Sequence, residues 1–208
     1  MTPEARHIPK WIAVVFAVFA GVLMAVQARV NGELALRIDS GVAAAVISFG
    51  SGLIILCLIM ALSPVGRRGW RTLLEAIRGK RLSWWFTLAG ACGALFVFSQ
   101  SVTVGVIGVA LFTVAFVAGL LVGGLVLDLI GLGPSGKKPL SPLRLIATII
   151  AITAVGLSVS DRVQETNHLA LMLMPLVIGV FVAWQQAANG RITQAIGTGS
   201  LAIQGLTP

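Results

Sequence analysis

Two amides four residues apart, Gln27 and Asn31, recur later in the chain at the same spacing as Gln185 and Asn189. Residues four apart share one face of a helix, so each pair presents its donors and acceptors in the same direction. Inside an apolar layer such groups can replace water around a passing solute. They can equally hydrogen-bond one helix to another, for about 0.6 kcal/mol on average, and both readings apply to these pairs. Gln100, flanked by Ser99, Ser101 and Thr103, adds a third polar group with the same two readings, pathway lining or helix packing. Trp184, next to Gln185, offers a ring face to an aromatic or cationic solute, or to the core. Arg29, Glu33 and Arg37 form a ladder at helical spacing, about 160° round the helix from the first amide pair. It reads as an ion-pair stack at a membrane surface or as a charged outer gate.

Chemistry beyond binding is missing. The sequence has no HExxH, no GxSG nucleophile and no paired aspartates within an apolar segment, so no catalytic residue is assigned and an enzyme is not expected. His7 and His168 lie outside the apolar segments, and Cys57 and Cys92 lie inside them without a CxxC or zinc spacing. Neither a metal nor a cofactor is expected. Asp128 comes nearest to the apolar interior and reads as an interfacial cap, so proton exchange through a carboxylate at the bilayer midplane lacks its carboxylate.

The elements that must position these residues are membrane helices. Hydrophobic residues make up 57% of the 208 and charged residues 11%, against roughly 25% charged in a soluble domain. From Leu82 to Leu127 the chain runs 46 residues without a charge, room for two spans of about 20. Hydropathy predicts six spans: Trp11–Leu34, Gly41–Leu62, Ser83–Val104, Ile107–Ile130, Leu143–Ser160 and Leu169–Asn189. A membrane β-barrel is excluded because no alternation of period two occurs. The first span follows Arg6 and Lys10 as a signal peptide would, but no cleavage site follows it, so it reads as an uncleaved helix. Turn residues mark the breaks, except near Gly105 and Gly108, where an almost apolar turn predicts an antiparallel hairpin with its tip at the membrane surface.

With alternate crossings, the amino-terminal side receives Arg6, Lys10, Arg67, Arg68, Arg71, Arg78, Lys80, Arg81, Lys137, Lys138, Arg144 and Arg191, and the far side Arg29, Arg37 and Arg162. Twelve against three predicts a cytoplasmic amino terminus. The net charge of +8 is thus spread among loops and forms no nucleic-acid face. The run Arg67–Arg81 reads as a loop at headgroup level in preference to a partnered amphipathic helix.

Compared with itself at an offset of 158 residues, the chain shows nine identities in 24 ungapped pairs: Gly21, Val22, Ala25, Gln27, Asn31, Gly32, Ile38, Gly41 and Ala44 recur from Gly179 to Ala202. Five spans separate a residue from its repeat, so equivalent helices cross in opposite directions. Inverted repeats of this kind are characteristic of secondary transporters. The expectation is an all-α polytopic bundle, with residues 1–160 a five-helix unit and 161–208 the first helix and stub of a second, inverted unit. The stub Arg191–Pro208 is too short to cross and is expected to be poorly anchored.

The pattern Gln27-x-x-x-Asn31-Gly32-x-Leu34, then Gly41 and Ile47-Ser48-Phe49-Gly50, resembles the YdcZ family of the drug/metabolite transporter superfamily, which is EamA-like. Trp84-Trp85 before Gly90-x-x-Gly93, Leu127-Asp128 with Gly131-Leu132, and Pro139-Leu-Ser-Pro142 carry the same resemblance. It implies a five-helix unit, single or doubled to ten helices, that moves small molecules across a bacterial inner membrane. On that basis the chain is expected to be one unit and the start of another from a ten-helix protein, or else a six-helix product. A transporter of a small metabolite or drug-like solute by alternating access is the first functional expectation. A non-transporting assembly or accessory protein is the second. The expected partners are the bilayer and the solute. The small-residue stripe Ala115, Gly119, Gly123 suits close helix packing either within the unit or across a homodimer.

Overall fold

The computed structural model describes residues 10–160 and 169–196, all of whose regular structure is helical. The loop Asp161–His168, the segment before Lys10 and the stub from Gly197 onward lie outside the described residues.

Helix α1 spans Lys10–Arg37 and α2 spans Gly41–Leu62. Between them Asp39 takes φ 50°, a left-handed conformation that Asp tolerates, and the Ser40 hydroxyl accepts the Ala43 N–H at 3.2 Å to cap α2. Ser63 then works twice: its N–H closes α2 on the Ile59 carbonyl at 2.8 Å, and its hydroxyl accepts the Gly66 N–H at 3.3 Å. With Pro64 in the first turn, where its missing N–H costs nothing, that cap starts helix α3, Pro64–Arg78. The basic run is therefore a helix for most of its length and not the expected loop. Leu73 and Ala76 bury one face against Leu82, Phe86, Ala89 and, from far along the chain, Ala188 and Ile192, while Arg67, Arg68, Arg71 and Arg78 stay exposed.

A 3-10 segment, Trp84–Gly90, leads into α4, Ala91–Ile130, which is helical throughout except at Gly108. There φ is 82° and ψ 159°, a conformation essentially confined to glycine. Phe96 and Phe116 would be about 30 Å apart on an unbroken helix, yet their ring centroids lie 4.7 Å apart. The chain reverses at Gly108. The predicted hairpin is present, with Trp84–Ile107 as its first arm and Val109–Ile130 as its second.

Helix α5, Pro142–Ser160, and helix α6, Leu169–Ile196, follow. Both lie along the second arm of α4 and barely touch each other. Their contacts fix directions. Leu176 sits at Gly119, Ala183 at Gly123 and Gly190 at Pro134, so α6 descends with the second arm. Helix α1 meets the hairpin near its tip, Gly32 against Val104 and Leu36 against Gly105, so it runs the other way.

Trp11–Arg37, Gly41–Leu62 and the two arms are long and apolar enough to cross a membrane, and Pro142–Leu157 is a shorter apolar helix. The chain is a polytopic helical membrane bundle. Helix α6 continues beyond the expected Asn189 to Ile196. The Arg191 guanidinium donates to the carbonyls of Leu132 at 2.9 Å and Gly131 at 2.8 Å, and Ile192 is buried, so this part of the stub is anchored, contrary to expectation. The left-handed Gly131 that ends α4 leaves those carbonyls outward, where a cation near a helix C-terminus is favoured.

Candidate functional site

Asn31 on α1 and Gln100 on the first arm are brought together: Asn31 Nδ2 donates to Gln100 Oε1 at 3.0 Å. Both are buried, Gln100 completely. Their neighbours on the arm turn inward on their own helix, Ser101 Oγ donating to the Val97 carbonyl and Thr103 Oγ1 to the Ser99 carbonyl. Among the described residues, Gln100 Nε2 and Ser99 Oγ have no partner. An unsatisfied amide donor in a low-dielectric interior costs about 1–3 kcal/mol. Eight residues separate Gln100 from the hairpin tip, placing the pair about 12 Å from the far side.

Gln27 does not join them. It is exposed, because α1 touches α4 along the strip Met24, Ala28, Gly32, Ala35, and Gln27 lies about 40° further round from that strip than Asn31 does. Gln185 is fully buried, but near the opposite end of the bundle, beyond the level of Gly123. Asn189 is half-buried there, its carbonyl accepting from Thr193 Oγ1. Trp184 is already stacked on Trp85, centroids 5.9 Å apart and planes 6° apart, so one of its faces is taken by a protein ring. Arg29, Glu33 and Arg37 are paired at 3.8 Å and 3.1 Å on the exposed surface of α1, an ion-pair stack. Ala115, Gly119 and Gly123 pack within the chain. Gly119 faces the Leu176 backbone and Gly123 faces Val180 and Ala183, so the stripe is the seat of α6.

The second polar feature is a groove of about 350 Å³ at the amino-terminal side, on the second arm between α5 and α6. Leu120, Leu121, Leu125, Ala183 and Ala187 make it apolar, and Asp128, Arg144, Thr148 and Gln186 stand at its polar end. Arg144 Nη1 donates to Asp128 Oδ2, while the Lys138 N–H donates to the Asp128 carbonyl at 3.0 Å. Residues 12–157 match the family described as "Putative inner membrane exporter, YdcZ". The chain belongs to that family. The match takes in α1 to α5, with Asn31, Gln100, Asp128 and Arg144, and stops before α6. Comparison with curated proteins and with solved structures gave no match.

Of the groove residues in this YdcZ-family chain, sequence reasoning gave a role in chemistry only to Asp128, read as a cap; Leu127 entered through the resemblance and Arg144 as a loop charge. The available signal was the opposite charge of Arg144 just past the Gly131–Pro142 break. Among the described residues no cluster of His, Cys, Asp or Glu is placed to hold a metal.

Proposed function

We propose that the chain carries a small solute across the inner membrane by alternating access, with Asn31 and Gln100 as its polar station toward the far side. Membership of an exporter family assigns a transport role in general. What carries the finer reading is the buried amide Gln100, whose Nε2, like the neighbouring Ser99 hydroxyl, has no partner among the described residues. A solute with one hydrogen-bond acceptor satisfies that donor on arrival and returns it unsatisfied on leaving, which suits a group that must bind and release. The opposite directions of α1 and α6, which share the repeated residues, support an inverted pair of elements around such a station. The basic residues of α3, the Gly131–Pro142 break and Arg191 gather at the amino-terminal side and support a cytoplasmic amino terminus.

Export of a panel of isotopically labelled metabolites from cells producing the chain tests this. At least one solute should leave faster than from control cells. Gln100→Leu should cut that excess about two- to tenfold at an unchanged level of membrane-inserted protein. An unchanged excess removes the amide from the pathway. The second reading, an assembly or accessory protein, is favoured by the uncovered faces of α1 and α2, and it predicts no excess for any solute.

A further inference from the structure

The groove between α5 and α6 plays no part in the amide station, and its geometry points to another ligand. We propose that it holds an anionic phospholipid from the leaflet on the amino-terminal side, one acyl chain lying along the second arm of α4 and the headgroup at Arg144. From Leu120 to Asp128 the floor rises about 12 Å, close to the roughly 15 Å depth of hydrocarbon in one leaflet. The apolar part of the groove lies toward the membrane interior and its polar end lies at the basic side, the polarity of a lipid standing in its own leaflet. Because α5 and α6 barely touch, a chain has lateral access from the bilayer.

Charge selects the headgroup. Arg144 spends one donor on Asp128 while its side chain is 56% exposed, which leaves further N–H groups of its fork for a phosphate. Lys138 is tied by its backbone to Asp128, and the Lys137 stem packs at Gly131, so the loop beside the groove carries two further exposed cations within reach of a headgroup held at Arg144. Basic pockets between membrane helices favour anionic headgroups in this way. Gly124 lines the groove, and a Cβ built on it meets nothing within 4 Å, so the floor is open where the chain would lie.

The test is native mass spectrometry of the full chain released from nanodiscs containing equal phosphatidylglycerol and phosphatidylcholine with the same acyl chains. One phosphatidylglycerol should remain bound in preference. Lys137→Gln with Lys138→Gln should lower the preference about fivefold per cation removed. Gly124→Leu, which fills the groove with a good helix former and so spares the fold, should abolish retention of either lipid. Equal retention of the two lipids by the native chain overturns the proposal. So does a Gly124→Leu variant that keeps its phosphatidylglycerol, since the lipid then sits on the outer surface. Retention of glycerol phosphate in place of the lipid would put a water-soluble anion in the groove and overturn it as well.

Discussion

The contact between α6 and the second arm of α4 is close enough for one methyl group to test it. A Cβ at Gly119 would stand 1.8 Å from the Leu176 carbonyl oxygen and 2.7 Å from its carbon. Carbon and oxygen normally approach to about 3.3 Å, so α6 has to retreat by about 1.5 Å. The obstacle is backbone, and no rotamer change relieves it. Gly179 makes the reciprocal approach, a Cβ built on it standing 2.3 Å from the Phe116 oxygen, so the same retreat strips both sides of the crossing. A gap of even 0.5–1 Å forfeits about a quarter to a half of each dispersion contact. Overpacking costs about 1–3 kcal/mol, and an unyielding backbone target puts Gly119→Ala near the top, about 3 kcal/mol or some 150-fold in the folding equilibrium. Gly124→Ala is the control: its methyl meets nothing, and leaving glycine in a helix interior is worth up to about 1 kcal/mol. Unfolding by SDS in mixed micelles, followed by tryptophan fluorescence, measures both. If Gly119→Ala proved as stable as Gly124→Ala, α6 would not be seated on this arm.

Gly108→Ala should cost about 1–3 kcal/mol in the same assay, because no L side chain suits φ 82° with ψ 159°. Asn31→Leu should destabilise more than the double variant Asn31→Leu/Gln100→Leu, with a coupling of about 0.6–1.7 kcal/mol in the double-mutant cycle, because the single change strands a second amide group. Maleimide labelling of intact cells should reach Arg37→Cys and spare Lys138→Cys, and reaction of both from the same side would break the alternation of crossings.

The hairpin was legible because its cause is local: an uncharged stretch of double span length with a glycine at mid-length has few other ways to fold. Helix α3 was not, because arginines at its exposed positions gave the sequence the look of a loop, and what orders it is a core formed with Ala188 and Ile192, more than a hundred residues away. Gln27 failed for a related reason. The repeat matches Gln27 with Gln185 in sequence pattern, but burial belongs to neighbours, and α6 is covered more fully along that length than α1 is. Gly179, Val180 and Ala183 are pressed against Gly119 and Gly123, whereas their counterparts Gly21, Val22 and Ala25 are exposed. The groove escaped because its two charged residues sit on different helices, and only the divergence of α5 from α6 opens the space behind them.

The two repeat-related helices are held very differently, and the difference bears on which of them is free to move. Helix α6 is fixed by backbone against backbone at Gly119 and Gly179, by two arginine bonds to the Gly131–Leu132 carbonyls, by Gln194 on the Pro134 carbonyl and by the face of α3. Helix α1 is joined to the hairpin through Asn31–Gln100 and the close approach of Gly32 to Gly105, both near the tip, and below that level it is largely uncovered. One interhelical hydrogen bond in a membrane is worth about 0.6 kcal/mol, near RT, whereas a Gly-mediated crossing with its carbonyl bonds sums to several times that. For the proposed transport this predicts that α1 tilts while α6 stays with the second arm, and that the tilt breaks the Asn31–Gln100 bond and exposes the Gln100 amide, whose Nε2 is the group proposed to meet the solute. The weakness of that bond, a liability for stability, is what lets it open at little cost.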